Sequence, residues 1–125
     1  MPSVVGSDEL YSLLARAGEP LSVSAGEMIF QKGDRGDKMY VVSDGTVALK
    51  NGDQVVETAT GPGLFGEMAL IDDQPRALSA VADTDVEMTE IPARHFWVLV
   101  HETPYFAQLV MSVMAGRLRR AGGTT

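Results

Sequence analysis

The sequence contains no cysteine. Disulfides and thiolate metal sites are therefore excluded, and a reducing cytoplasm is as suitable a compartment as any. Histidine is nearly absent too, with only His95 and His101 among 125 residues. Their spacing of six misses the three or four that brings two side chains onto one helix face, so they do not suggest a metal pair. No His falls in a segment of strand character, which argues against a jelly-roll metalloenzyme gathering its ligands from strands. There is no Ser/His/Asp arrangement with a nucleophile elbow and no GxxxxGK[ST] loop. Catalysis is not expected. No apolar run approaches the ~18 residues of a membrane span, and the N-terminus lacks a basic-then-apolar signal pattern. The expectation is a soluble, cytoplasmic protein. Positive charge is also scarce, with 10 Lys and Arg against 17 Asp and Glu, a net charge of −7. Such a chain is a poor general binder of nucleic acid or anionic membrane, so any phosphate must be held by a local arrangement.

What is present is a chain of 45% hydrophobic content, enough for one domain with its own core over residues 1–125. Residues 7–17 have helical spacing, with Leu10, Leu13, Leu14 and Ala17 on one face, Ser7 as cap and Gly18 as terminator, a helical unit of residues 7–18. Pro20 closes it off. From residue 21 to residue 92 the chain reads as short strands between turn clusters near Gly33, Gly45, Asn51 and Gly61, a spacing of about ten residues that marks a sandwich or barrel. Residues 39–42, 47–49, 55–60, 79–82 and 86–91 supply the strand-like segments. Residues 93–120 are helical again. Phe96, Trp97, Leu99 and Val100 form the apolar surface of a first helix, and Thr103 caps a second with Pro104 at its first position. Phe106, Leu109, Val110, Val113, Met114 and Leu118 form the second helix's stripe, and Arg117, Arg119 and Arg120 crowd its C-terminal end, where the helix dipole favours them.

The chemistry concentrates in residues 61–82, GPGLFGEMALIDDQPRALSAVA. Phe65-Gly66-Glu67 can open a helical turn with free backbone N–H groups, and Gly66 and Ala69 are small enough for a ligand to touch the main chain. Arg76 adds a planar cationic fork suited to two phosphate oxygens. Glu67 repels phosphate unless it faces a neutral donor, and a sugar hydroxyl is such a donor. Phosphate and ribose in one ligand satisfy the whole stretch. Plainer readings exist for each residue. Arg76 can pair with Asp72 or Asp73, and Glu67 can serve only to complement the start of a helix. Gly33, Gly36 and Gly45 read as architectural, since tight turns need positive φ. Asp34 and Asp37 read as turn formers, because the alternate oxygen ligands of a calcium loop are missing.

Phe65-Gly66-Glu67-Met68-Ala69-Leu70, with Arg76 nine residues after the Glu, closely resembles the phosphate-binding cassette of the cyclic nucleotide-binding domain. Gly33-Asp34-Arg35-Gly36-Asp37, Tyr40-Val41-Val42 and Gly45-Thr46-Val47 are similar to that family's glycine-rich turns, and the resemblance covers about residues 21–120. It implies a mainly β fold, a β jelly roll over residues 21–92 containing the cassette at 64–78, with one N-terminal helix and two C-terminal helices. It implies a non-catalytic regulatory domain that binds a cyclic nucleotide. Glu67 would accept a hydrogen bond from the ribose 2′-hydroxyl, Arg76 would hold the cyclic phosphate, and backbone N–H groups at Gly66, Met68, Ala69 or Ala77 would complete the cradle. Ala77 cannot offer guanine a hydroxyl, which favours cAMP over cGMP as regulatory ligand. Binding would reposition the C-terminal helices for a protein partner, with the base covered by an apolar residue of the last helix, by Arg117, Arg119 or Arg120, or by that partner. No helix-turn-helix follows residue 120, so direct DNA binding is not expected. Leu78 departs from the family's small residue and must face the core or crowd the pocket. The competing reading is a degenerate member of the fold, a structural or protein-interaction module without nucleotide.

Overall fold

A computed structural model describes residues 7–122. The chain runs α1 (Ser7–Leu14), β1 (Glu19–Val23), β2 (Met28–Phe30), β3 (Lys38–Asp44), β4 (Thr46–Asn51), β5 (Gln54–Thr60), β6 (Gly63–Phe65), α2 (Met68–Asp72), β7 (Ser79–Ala82), β8 (Val86–Pro92), α3 (Ala93–Glu102) and α4 (Pro104–Arg120). The eight strands form two four-stranded antiparallel sheets, ordered β1-β8-β3-β6 and β2-β7-β4-β5. The expected β roll with flanking helices is the observed architecture.

Side-chain alternation along β3 explains the layering. Tyr40 and Val42 point into the sandwich with Val47, Leu49, Phe65, Ala80, Val86 and Met88, while Met39 and Val41 point to the opposite face. There they meet Leu14 of α1, Leu70 of α2, Phe96 of α3, and Phe106 and Val110 of α4. The first sheet is thus a middle layer buried on both faces, which is why β3 reads as a continuous apolar run. Burying a side chain such as Phe106, fully covered here, contributes about 1.5–3 kcal/mol.

Several local expectations change in three dimensions. Helix α1 stops at Leu14 rather than Ala17, because the next residues tighten into turns (Arg16 N–H to the Leu13 carbonyl, Ala17 N–H to that of Leu14) and the Thr89 hydroxyl takes the Ala15 carbonyl. Leu13 faces solvent, and Tyr11 packs inward beside Leu14. The Ser7 cap and the placement of Leu10 lie outside the described side chains. Pro20 lies inside β1, opposite Thr89, where an edge position tolerates its missing N–H. Thr103 stands at the N-cap of α4 with Pro104 following, but its side chain makes no capping bond. Leu118 is 57% exposed, off the buried stripe. Among the described residues, no helix is long and apolar enough to cross a membrane.

Candidate functional site

The cassette begins differently from the sequence expectation. Phe65 closes β6 instead of opening a helix, fully buried with its ring stacked on Tyr40 at 5.0 Å between centroids. Gly66 then turns the chain at φ +84°, a backbone region that favours glycine, and a Cβ there would lie 3.0 Å from Nη1 of Arg76. Glu67 is the N-cap residue of α2, which runs only to Asp72 before Asp73 adopts a left-handed conformation. The chain returns through Pro75 and Arg76 into β7.

Arg76 is 5% exposed and does not pair with Asp72 or Asp73. Its Nη1 donates to the Gly66 carbonyl at 2.8 Å, its Nη2 to the Lys38 carbonyl at 2.6 Å, and its guanidinium carbon sits 4.0 Å over the Phe30 ring. The Asp72 carboxylate instead accepts from the Gln74 N–H. Burial pulls the Arg76 guanidinium below the usual arginine range, opposed by Tyr40, Asp37, Glu67 and Asp34, and burial likewise raises the Tyr40 phenol. One Arg76 nitrogen has no hydrogen bond: Nε is buried and has no protein partner among the described residues. A buried charged donor without an acceptor is costly, so this N–H marks a place where an acceptor belongs.

The loop of residues 31–37 holds Arg76 in place from the other side. The Arg76 N–H donates to the Asp34 carbonyl and the Gly33 N–H to the Arg76 carbonyl, both at 2.8 Å, while the Asp34 carboxylate accepts from the Gln31 N–H at 3.0 Å and shapes the loop. Gly33 and Gly45 have the positive φ expected of turn glycines; Gly36 does not. Gly36 is required for contact instead, since a Cβ on it would collide with Cβ of Ala69 and lie 3.2 Å from Nε of Arg76.

Glu67 is fully buried, and both its oxygens accept from Nη1 of Arg117, at 2.8 and 2.7 Å. Arg117 comes from α4, fifty residues along the chain. Its Nη2 donates to the Leu64 carbonyl at 2.8 Å and its Nε to Glu57 at 3.2 Å, and Arg120 also donates to Glu57 through Nε and Nη2. These bonds, Arg120 first, hold the Glu57 carboxyl below the usual carboxylate range. Sequence reasoning left Arg117 as one of three equivalent arginines and passed over Glu57 altogether. A signal for Glu57 existed, because strand alternation puts it on the same face of β5 as buried Ala59.

A cavity of about 150 Å³, open to solvent and smaller than the ~300–1,000 Å³ usual for small-ligand sites, joins these parts. Gly66, Glu67, Met68, Ala69, Arg76 and Ala77 all line it, so the six residues singled out from sequence come together on one wall. Arg117 forms part of the rim; Arg119 and Arg120 do not line it. Leu78 does both things allowed to it, lining the cavity with Phe30 and Leu49 while packing against the sandwich core.

The profile of the cyclic nucleotide-binding domain family matches residues 20–103. The chain belongs to the cyclic nucleotide-binding domain family. It is 35% identical over 119 residues to a cyclic nucleotide-gated potassium channel of Rhizobium etli, covering 95% of this chain and 32% of the channel. Among solved structures, the catabolite activator protein of Thermus thermophilus superposes with a TM-score of 0.77 at 31% identity, covering 94% of this chain and 58% of that one. An EAL enzyme in its cAMP-bound form superposes with a TM-score of 0.63, also at 31% identity, over 82% of this chain and 29% of the enzyme. The chain spans half or less of the length of the curated relatives it matches. A channel, an activator protein and an enzyme thus share this fold, so the domain itself does not specify the output.

Proposed function

We propose that residues 1–125 act as a single non-catalytic sensor domain that binds a cyclic nucleotide, cAMP in preference to cGMP, in the cytoplasm. The observation that carries this reading is that Arg76, whose buried Nε has no protein partner among the described residues, and the fully buried Glu67 line the same cavity. The Arg76 Nε–H donates to the cyclic phosphate, supported by main-chain N–H groups at Gly66, Met68, Ala69 or Ala77. Glu67 accepts from the ribose 2′-hydroxyl through lone pairs that Arg117 leaves open, since a carboxylate offers about four acceptor sites. Leu49, Leu78 and Phe30 supply apolar surface for the base, and Ala77 offers no hydroxyl to guanine.

The coupling to the C-terminal helices follows from charge. Without Arg117, the Glu67 carboxylate would stand bare beside the anionic phosphate; with Arg117 on it, the pair is neutral and the site accepts an anion. Nucleotide binding therefore favours the docked position of α4, and by reciprocity docked α4 favours nucleotide. A partner protein reads the resulting helix position. With a net charge of −7, the domain is not itself a nucleic-acid binder.

A second reading draws on Arg117 occupying both oxygens of Glu67 and on Leu78 narrowing the cavity: a module that keeps the fold, uses the Arg117–Glu67 pair only as a tie, and binds no nucleotide. Calorimetric titration with cAMP and, separately, cGMP decides between them. Micromolar or tighter binding of cAMP, weaker binding of cGMP and loss of both in Arg76→Ala support the sensor; no heat with either nucleotide from folded protein supports the module.

A further inference from the structure

We infer that Glu57 is a positioning residue for the nucleotide site, acting through Arg117 on Glu67; this rests on the sensor reading above. Glu57 lies on β5, an edge strand of the second sheet, and does not line the cavity. Its side chain is nevertheless only 15% exposed and receives three hydrogen bonds from two arginines one helical turn apart.

The geometry at Arg117 explains what this achieves. A guanidinium is planar, so fixing two of its edges fixes the third. Nε is held by Glu57 and Nη2 by the Leu64 carbonyl, which leaves Nη1 directed at the two oxygens of Glu67. The orientation of the Glu67 carboxylate, and with it the direction of the lone pairs left for a sugar hydroxyl, is set by a residue on the far side of Arg117. Charge reinforces the arrangement. Glu57, Glu67, Arg117 and Arg120 form a cluster of two anions and two cations that sums to zero. Arg120, already 59% exposed, would turn to water without Glu57, whereas Arg117, 17% exposed, would keep Glu67 in a geometry no longer fixed at Nε.

A plainer role, tying α4 to β5 for stability alone, makes a different prediction. The discriminating quantity is the ratio of dissociation constants for 2′-deoxy-3′,5′-cAMP and 3′,5′-cAMP, which reports the hydroxyl-to-Glu67 bond and is insensitive to a uniform loss of affinity. In the wild-type chain the ratio is expected to be about tenfold or more, the value of one charge-assisted hydrogen bond. In Glu57→Gln it is expected to fall to within about threefold of unity, and the same substitution in an Arg117→Met background is expected to change it no further. Arg120→Met, which spares the Glu57–Arg117 bond, keeps the wild-type ratio. Should Glu57→Gln fail to fold, Glu57→Asp, one methylene short of Arg117, carries the same test. A wild-type chain that binds cAMP, combined with an unchanged ratio in the Glu57 variant, overturns this inference alone. A folded wild-type chain that binds neither nucleotide overturns it together with the sensor reading.

Discussion

Replacing Arg76 tests the site most directly, because its guanidinium holds the cassette together and its side chain lines the cavity. Arg76→Ala removes the bonds to the Gly66 and Lys38 carbonyls and the stacking on Phe30. A hydrogen bond from a charged group contributes about 1.5–3 kcal/mol. Two of them make the variant several kcal/mol less stable, a large part of the ~5–15 kcal/mol available to a domain. Binding must therefore be measured at a temperature where the variant is shown to be folded. There, loss of the Nε–phosphate contact is expected to weaken cAMP by at least about tenfold. Arg76→Lys separates charge from geometry. An ammonium keeps the countercharge but cannot span two carbonyls and present a third edge, so its affinity is expected between those of wild type and Arg76→Ala. Isothermal titration calorimetry on all three, with unfolding curves for each, is the assay. A folded Arg76→Ala protein with the wild-type dissociation constant for cAMP would refute the reasoning.

The Arg117–Glu67 pair carries a separate prediction: Arg117→Met leaves Glu67 buried without its countercharge, and breaking a buried pair from one side costs about 3–5 kcal/mol, so urea unfolding should show a large loss that Glu67→Gln partly restores. A single variant within about 1 kcal/mol of wild type would contradict this. Gly36→Ala inserts a methyl against Ala69 and Arg76; the overpacking should cost about 1–3 kcal/mol in chemical unfolding and weaken nucleotide binding as Arg76 moves. Ala77→Thr adds a hydroxyl on the cavity wall and is expected to raise cGMP affinity relative to cAMP, checked by competition between the two. For pH, Glu57 titrates in the folded state below the ordinary glutamate value of 4.5, because Arg120 and Arg117 donate to its carboxylate, so its contribution to stability is fully present above that value and is lost as pH falls through the lower folded value. Thermal melts of wild type and Glu57→Gln should therefore converge as pH drops below about 4.5, and a constant gap would contradict the assignment.

The sequence by itself determined the fold class and the residues of one cavity wall. Strands β3, β4, β5, β7 and β8 are readable because alternation and β-branched content act over neighbouring residues. The run from Gly66 to Ala77 is readable because its chemistry lies within a dozen consecutive residues. The three strands that the sequence did not reveal, β1, β2 and β6, all lie at sheet edges. They are short or contain Pro20, and their conformation comes from the partner strand rather than from their own residues. Gly36 shows the same limit on a smaller scale: a turn glycine in the sequence, it is a contact glycine in space because Ala69 packs against it. Tertiary structure alone decided which arginine of the last helix meets the cassette and that Glu57 orients it. Arg117 is separated from Glu67 by 50 residues and from Glu57 by 60, and only the packing of α4 against the first sheet brings the three together. Local pattern reports propensity and nearby chemistry, whereas ion pairs across such separations form only once the layers have assembled.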